Sequence, residues 1–250
     1  MEFMIAKLLG IVMVLTRISA FFLVVPVFSS KVVPVRIKLA GALLLTIFFS
    51  MVHPFGINAT EVSVPQAILY ISNEAIYGFG LGLIAALVFS AVKFCGRIVE
   101  RQMGLAMAQI LDPMTGERAQ FLGLILEMIF ILMFLAANGH HILLLVISRS
   151  YEAFPAGSIP TIPILTAGVT KAGATMLIAG LRLSAPILAA FLLLLVTLAI
   201  LARITPEMNI LFISLPLRVG VGLFMVMTFL PFINGFVSEF SDWMGKLLPL

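Results

Sequence analysis

The chain has 250 residues, of which 62% are hydrophobic and 10% are charged, and its mean hydropathy is +1.22. This composition excludes a water-soluble globular domain and indicates an integral membrane protein. The net charge of +4 is small and no basic block is interleaved with aromatic residues, so nucleic acid is not expected as a partner. The single cysteine, Cys95, excludes an internal disulfide. The sequence has no cluster of His and Cys residues, so we expect neither a metal site nor another cofactor.

Six apolar stretches predict an all-α membrane fold. They lie at about 8–25, 40–52, 67–94, 119–148, 164–202 and 209–236. Strands of a membrane barrel would alternate polar and apolar residues, which these stretches do not do, so we predict helices. The second stretch is short for a bilayer crossing, whereas the fourth and fifth are long enough to kink or fold back. We therefore expect about six long, kinked apolar helices or helical hairpins.

Small residues recur every four positions in the third stretch. The series begins with a carboxylate and comprises Glu74, Gly78, Gly82, Ala86 and Ser90. At helical spacing these residues form one narrow face, which lets another backbone approach closely where lipid offers no hydrophobic driving force. We predict a tight helix–helix contact along this face.

Charged residues also lie inside the apolar stretches. They are Arg17, Glu74, Glu127, Lys171, Arg182 and Arg218. A charged side chain in the middle of a bilayer costs at least about 2.5 kcal/mol, so we expect protein or water around them. They could form ion pairs between packed helices or line a proton or ion pathway. Their scatter over several stretches without a shared spacing favours the structural interpretation.

A methionine-rich segment follows the third stretch. Met103, Met107 and Ile110 are spaced at i, i+4 and i+7, so a helix here would present one apolar face, and Pro113 would end that helix just past Asp112. Methionine is unbranched and polarizable, which suits a contact that must seal and then yield. The alternative is that these are ordinary lipid-facing or core methionines. No grouping of nucleophile, base and acid stands out, so an enzyme is not expected.

Several separate motifs resemble, in order and spacing, the FliR family of flagellar type III export-gate subunits. They are Arg17 with Pro26-Val27-Phe28, Val32-Val33-Pro34-Val35-Arg36-Ile37-Lys38-Leu39-Ala40-Gly41, Gln102-Met103-Gly104-Leu105, Asp112-Pro113, Asn138-Gly139-His140, Pro206-Glu207-Met208-Asn209-Ile210, Leu215-Pro216-Leu217 and Gly220. The run from Asp112 to Gly116 is more similar to the flagellar branch, with the equivalent injectisome export-gate subunit as the alternative.

The resemblance implies a fold and an assembly that hydropathy does not reveal. A FliP-like part at 1–165, with a plug loop at about 103–118, would be fused to a FliQ-like helical hairpin at 166–250, whose tip lies at about 203–209. One such subunit would join five FliP-like and four FliQ-like subunits, with a FlhB-like subunit at the cytoplasmic face. The assembly would contact membrane lipid in the bacterial inner membrane, within the flagellar basal body, and project toward the periplasm.

The function that the resemblance implies is structural. The subunit would form part of a pore that passes unfolded flagellar export substrates, and its methionine-rich plug loop would seal the channel at rest. The plug or pore residues would be Met103, Met107, Ile110, Leu111, Asp112, Pro113 and Met114. The main rival is an ion-coupled secondary transporter in which Glu74, Glu127 and the intramembrane Arg and Lys residues bind substrate or protons, but its usual internal repeat is not evident.

Overall fold

The computed structural model describes residues 2–29, 33–52, 63–105, 121–158, 162–205, 207, 209–231 and 235–239. Within these ranges the chain forms helices and no strand. The helices are α1 (Glu2–Val24), α2 (Pro26–Ser29), α3 (Val35–Val52), α4 (Val64–Gln102), α5 (Phe121–Ala136), α6 (Gly139–Ala153), α7 (Ile162–Ile204) and α8 (Ile210–Phe229). Among them, five are long and apolar enough to cross a membrane, or six if α5 and α6 count as one span. The predicted all-α membrane fold is confirmed.

The second apolar stretch forms a longer helix than its hydropathy indicated. It begins at Val35 and has 18 residues, so Arg36 and Lys38 belong to its first turn. The backbone N–H groups of Ile37 and Lys38 donate to the Pro34 carbonyl at 3.0 and 3.3 Å, which starts the helix just after the proline. Long cationic side chains can lie along a helix while their charged ends reach a polar surface. Counting only the uncharged residues therefore underestimated the length of this helix.

The fourth apolar stretch is broken, whereas the fifth is continuous. The break between α5 and α6 falls at Asn138, which has a left-handed φ of 59°. Asparagine tolerates this conformation better than most residues with a Cβ atom, because its short polar side chain can hydrogen-bond locally. The fifth stretch forms α7, a single helix of 43 residues that contains Pro186.

The chain divides into two compact units. The first contains the described residues of Met1–Val88 and Asn138–Ala174, and the second those of Phe89–Ala137 and Thr175–Glu239. Helices α4 and α7 each contribute residues to both units. The predicted division at residue 165 concerns likeness to other subunits and stays a prediction.

Helix α1 is the central element of the first unit. Its Met13, Ile18 and Phe21 are buried, and the helix packs against α3. On α6, the hydroxyl of Tyr151 donates to the carbonyl of Val14 at 3.3 Å. Large apolar side chains of α1 therefore pack in the core, and one hydrogen bond fixes the position of α1 against α6.

The small-residue face of α4 lies against α1 of the same chain. A Cβ atom at Gly78 would overlap the carbonyl oxygen of Arg17. A Cβ atom at Gly82 would come within 2.9 Å of the Val24 side chain and 3.1 Å of the Phe21 carbonyl oxygen. The two helices approach so closely that a side chain at either glycine would meet backbone, which cannot rotate away as a side chain can.

Aromatic side chains pack the second unit. Phe89 of α4 makes edge-to-face contacts with Phe130 and Phe134 of α5, with ring centres 5.5 and 5.1 Å apart. Such pairs add about 0.5–1.5 kcal/mol beyond the area that they bury. Near them, a Cβ atom at Gly96 would come within 2.9 Å of the backbone nitrogen of Gly123, so α4 and α5 also meet backbone to backbone.

We predict that Gly78→Ala destabilises the chain while Gly220→Ala does not. The new methyl group at Gly78 would press on the Arg17 carbonyl, and overpacking of this kind costs about 1–3 kcal/mol. At Gly220 of α8 a Cβ atom meets nothing within 4 Å, and alanine favours a helix by up to about 1 kcal/mol over glycine. The measurement is the thermal midpoint of each tagged, detergent-extracted variant. Equal midpoints for the two variants would contradict the predicted contact.

Candidate functional site

The best-defined polar site of the first unit is a buried salt bridge between Arg17 of α1 and Glu74 of α4. The two residues are 57 positions apart, and each is 1% exposed. The Arg17 Nε donates to Oε2 of Glu74, and Nη2 donates to Oε1 at 3.0 Å. This two-point geometry is the strongest form of an arginine–carboxylate contact, since both N–H groups and both oxygens are aligned.

The remaining polar atoms of this pair bind the end of α6 and the residues that follow it. Arg17 Nη1 donates to the carbonyl oxygens of Ser150 and Phe154 at 3.2 and 3.0 Å, and to the Ser150 hydroxyl at 3.3 Å. Glu74 Oε1 accepts the backbone N–H of Gly157 at 2.9 Å. The salt bridge therefore joins three separate segments of the chain.

Two tyrosines cover the guanidinium group. The Arg17 Cζ atom lies 4.8 Å from the ring centre of Tyr77 and 4.3 Å from that of Tyr151. Cation–π contacts of a desolvated arginine contribute about 2 kcal/mol or more. We call this group the Arg17 cluster; it consists of Arg17, Glu74, Tyr77, Ser150 and Tyr151, with the backbone of Phe154 and Gly157.

The Arg17 cluster is suited to holding helices together and not to acid–base chemistry. Its carboxylate already accepts three N–H groups, and its guanidinium is held by carboxylate, carbonyl and hydroxyl oxygens. Removing one member of such a buried pair leaves an uncompensated charge, which costs about 3–5 kcal/mol. The geometry favours the structural interpretation of these charges.

A second ion pair lies in the second unit. Lys93 Nζ of α4 is 2.8 Å from Oε2 of Glu127 on α5, and their side chains are 30% and 14% exposed. One turn beyond Gly96 on α4, the buried carboxylate of Glu100 accepts the backbone N–H of Phe121 at the start of α5. A carboxylate at this place satisfies one of the free N–H groups of the helix start and complements its dipole.

The start of the predicted plug loop is anchored within the second unit. Met103 is buried, and a Cβ atom at Gly222 of α8 would come within 3.0 Å of its Cε atom. Gly104 has a φ of 80°, and the chain leaves α4 in a turn at this point. Met103, the first residue of the predicted Met103–Met107–Ile110 face, therefore lies in a turn and not in a helix. The helix α4 ends before it, and Gly104 just after it adopts the left-handed conformation. The other predicted plug residues, Met107, Ile110, Leu111, Asp112, Pro113 and Met114, lie outside the described residues.

The remaining described residues of the predicted sites are exposed or partly exposed in this chain. Lys171 and Arg182 of α7 are exposed in this chain, and Arg218 of α8 is partly exposed. On α4, Ala86 and Ser90 are partly exposed, further along the face that begins at Gly78. Among the described charges of the apolar stretches, the structure brings together Arg17 with Glu74, and Glu127 with Lys93.

Sequence reasoning missed several members of these groups. Tyr77 follows Glu74 by three residues and so shares its helix face, which was an available signal. Lys93 lies 34 residues before Glu127, and no local pattern in the sequence predicts their pairing. No local pattern could have identified Ser150 and Tyr151, because they meet Arg17 across more than 130 positions.

We predict that Glu74→Gln and Arg17→Met each destabilise the chain more than the double variant does. Each single change leaves a buried polar or charged group without its partner, at a cost of about 3–5 kcal/mol, whereas the double change removes both charges. The same substitutions at the partly exposed pair, Lys93→Met and Glu127→Gln, should cost about 1 kcal/mol or less. Denaturant unfolding of the detergent-solubilised variants measures this. A double variant that is no more stable than either single variant would contradict the prediction.

Comparison with known proteins is consistent across nearly the whole chain. The family model of bacterial export proteins, family 1, matches residues 8–243. The flagellar biosynthetic protein FliR of Bacillus subtilis is 32% identical over 222 residues, which cover 86% of this chain and 83% of that protein. FliR of Escherichia coli K12 is 30% identical over 234 residues, which cover 94% and 89%. The chain therefore belongs to the FliR family, as a membrane-integral and non-enzymatic component of the flagellar export apparatus.

Proposed function

We propose that this chain is a pore-forming subunit of the flagellar type III export gate, in which the loop at about 103–118 closes the channel to small solutes and yields to unfolded flagellar proteins. The observation that carries the proposal is how the described residues on either side of this loop are held. These residues are the end of α4 and the start of α5, which we call the stems of the loop. Both stems are anchored within the second unit, and the chain between them has 15 residues, 106–120.

The end of α4 contacts the start of α5, and Met103, just after α4, contacts α8. The Glu100 carboxylate accepts the Phe121 N–H, Gly96 meets the backbone of Gly123, and Met103 packs at Gly222. The described residues on the two sides of 106–120 are thus held close to each other. A plug needs flanks that are held in this way, because it must move without unfolding the helices that carry it.

The length of α7 supports an assembly with other subunits. Its 43 residues correspond to about 64 Å, whereas the hydrocarbon core of a bilayer is about 30 Å thick. Most residues between 163 and 204 are exposed or partly exposed within this chain. Lipid can cover about half of such a helix, so other protein must cover the rest. FliP-like and FliQ-like subunits, five and four in number, would provide this cover in an assembly that projects toward the periplasm and meets a FlhB-like subunit at its cytoplasmic face.

The rival proposal, an ion-coupled transporter, has less support. Its candidate proton or substrate ligands, Glu74 and Glu127, each face a cation of this chain at salt-bridge distance. Carboxylates that bind a transported ion must exchange partners during transport, whereas Glu74 is also held by the Gly157 N–H and enclosed by α1 and α6. We therefore assign these carboxylates to the framework of the gate.

We predict that removing Pro113–Glu117 opens a leak without preventing assembly. The deletion shortens the loop but leaves the stem contacts of Glu100 and Met103 in place. Ion conductance across membranes that contain the purified complex should rise, and cells should become sensitive to salt while export falls only in part. Met107→Ala should act in the same direction and more weakly, since truncating a fully buried methionine removes at most about 2–5 kcal/mol of packing.

The control is co-purification of the partner subunits, which shows that the shortened complex has assembled. An assembled, shortened complex that conducts no more than the parent would rule out the plug. In the transporter alternative, the deletion would abolish transport without a leak, and Glu74→Gln or Glu127→Gln would have the larger effect on flux.

A further inference from the structure

We propose that the exposed face of α7 around Arg182 docks an apolar helix of a different subunit, and that this helix carries a carboxylate opposite the guanidinium group. The inference rests on the proposed function, in that it takes the chain to work within a hetero-oligomer. It adds the chemistry of one contact in that assembly.

The C-terminal part of α7 has two distinct sides within the second unit. One side is buried against the rest of the unit and includes Gly180, Ser184, Ile187 and Phe191. The other side is exposed, and we call it the Arg182 face; it consists of Ile178, Leu181, Arg182, Ala185, Ala189 and Leu192. The spacings of three and four residues place these side chains in one stripe along the helix.

Arg182 is an isolated charge on this stripe. Between Lys171 and Arg203 it is the only charged residue, and it lies about midway along α7. An arginine keeps its proton in proteins, so it cannot become neutral to avoid an apolar environment. A charge placed among apolar residues of a membrane helix costs at least about 2.5 kcal/mol without a partner. An anion opposite Arg182 removes this cost, and a carboxylate matches the planar guanidinium at two points.

A second copy of this chain cannot easily provide that carboxylate. Among the described residues of the apolar helices, Glu74 is bound to Arg17, Glu127 is paired with Lys93, and buried Glu100 accepts the Phe121 N–H. Freeing any of these three would leave a cation or a helix start without its partner. Glu152 is exposed but lies in the last turn of α6, whereas Arg182 lies about midway along α7. The described carboxylates therefore favour another kind of subunit as the source of the acid.

The small residues beside Arg182 favour a helix over lipid as the occupant. Ala185 and Ala189 are exposed and four residues apart, which is the spacing that lets two helix backbones approach in a membrane protein. Lipid chains need no such close approach, whereas a helix gains van der Waals contacts from it. The exposed side chains of Leu181 and Leu192 would pack against the docked helix.

The test uses a photo-cross-linking amino acid at Ala185 of the full chain, in cells that assemble the complete export apparatus. We expect a cross-link to an apolar helix of another subunit, within one turn of an Asp or Glu. Arg182→Glu should reduce the yield at least tenfold, and Arg182→Lys should retain most of it. Changing the partner's carboxylate to Lys should restore cross-linking in the Arg182→Glu variant. A second probe at exposed Leu223 of α8 should respond to none of these changes, which separates a local effect from failed assembly.

Cross-links to lipid alone, to a second copy of this chain, or to a helix without a nearby acid would overturn the proposal. A yield that is unchanged by Arg182→Glu would do so as well. The outcome is distinguishable from that of the plug experiment: a cross-link with charge rescue in a complex whose shortened loop does not leak would support the docking site and reject the plug. Loss of the Leu223 signal together with the Ala185 signal would contradict the local role of Arg182.

Discussion

A guanidinium group and a carboxylate that are both removed from solvent fix the arrangement of the first unit. Once Arg17 and Glu74 are buried, every polar atom of the pair needs a partner, because an unpaired charge in an apolar interior costs more than the packing around it can provide. The partners come from α1, α4 and the residues after α6. The cluster thus determines which helices are neighbours, and the apolar side chains, which are not directional, fill the space around it.

The glycines of α4 make this pairing possible. With Gly78 directly over the Arg17 carbonyl, the backbones are close enough for the guanidinium to reach Glu74 one turn earlier on the same helix. Close approach and salt bridge therefore depend on each other. In the second unit, the same helix uses glycine again to meet α5, and there the contact holds the two stems of the proposed plug loop. One long helix supports both the rigid part of the subunit and the part that is proposed to move.

The helices were predictable from the sequence, because apolar runs of this length have no other way to satisfy their backbone in a membrane. The small-residue face from Glu74 was also visible, although its partner was not. The start of α3 was missed because Arg36 and Lys38 interrupt the apolar run without interrupting the helix. The pairing of Arg17 with Glu74 could not be read from the sequence, since six scattered charges allow many pairings. The carbonyl groups of Ser150 and Phe154 are still less visible, because any residue carries one.

The central claim is that the chain combines a rigid core with a loop that closes the export channel. An electron-microscopy map of the assembled complex, purified through a tag on this subunit and resolved to side chains, tests it most directly. We expect the Arg17–Glu74 pair inside the subunit, Met103 against Gly222, and residues 106–118 of the plug loop within the central channel. A map in which residues 106–118 face lipid or the outer surface, with the channel closed by other chains alone, would contradict the account.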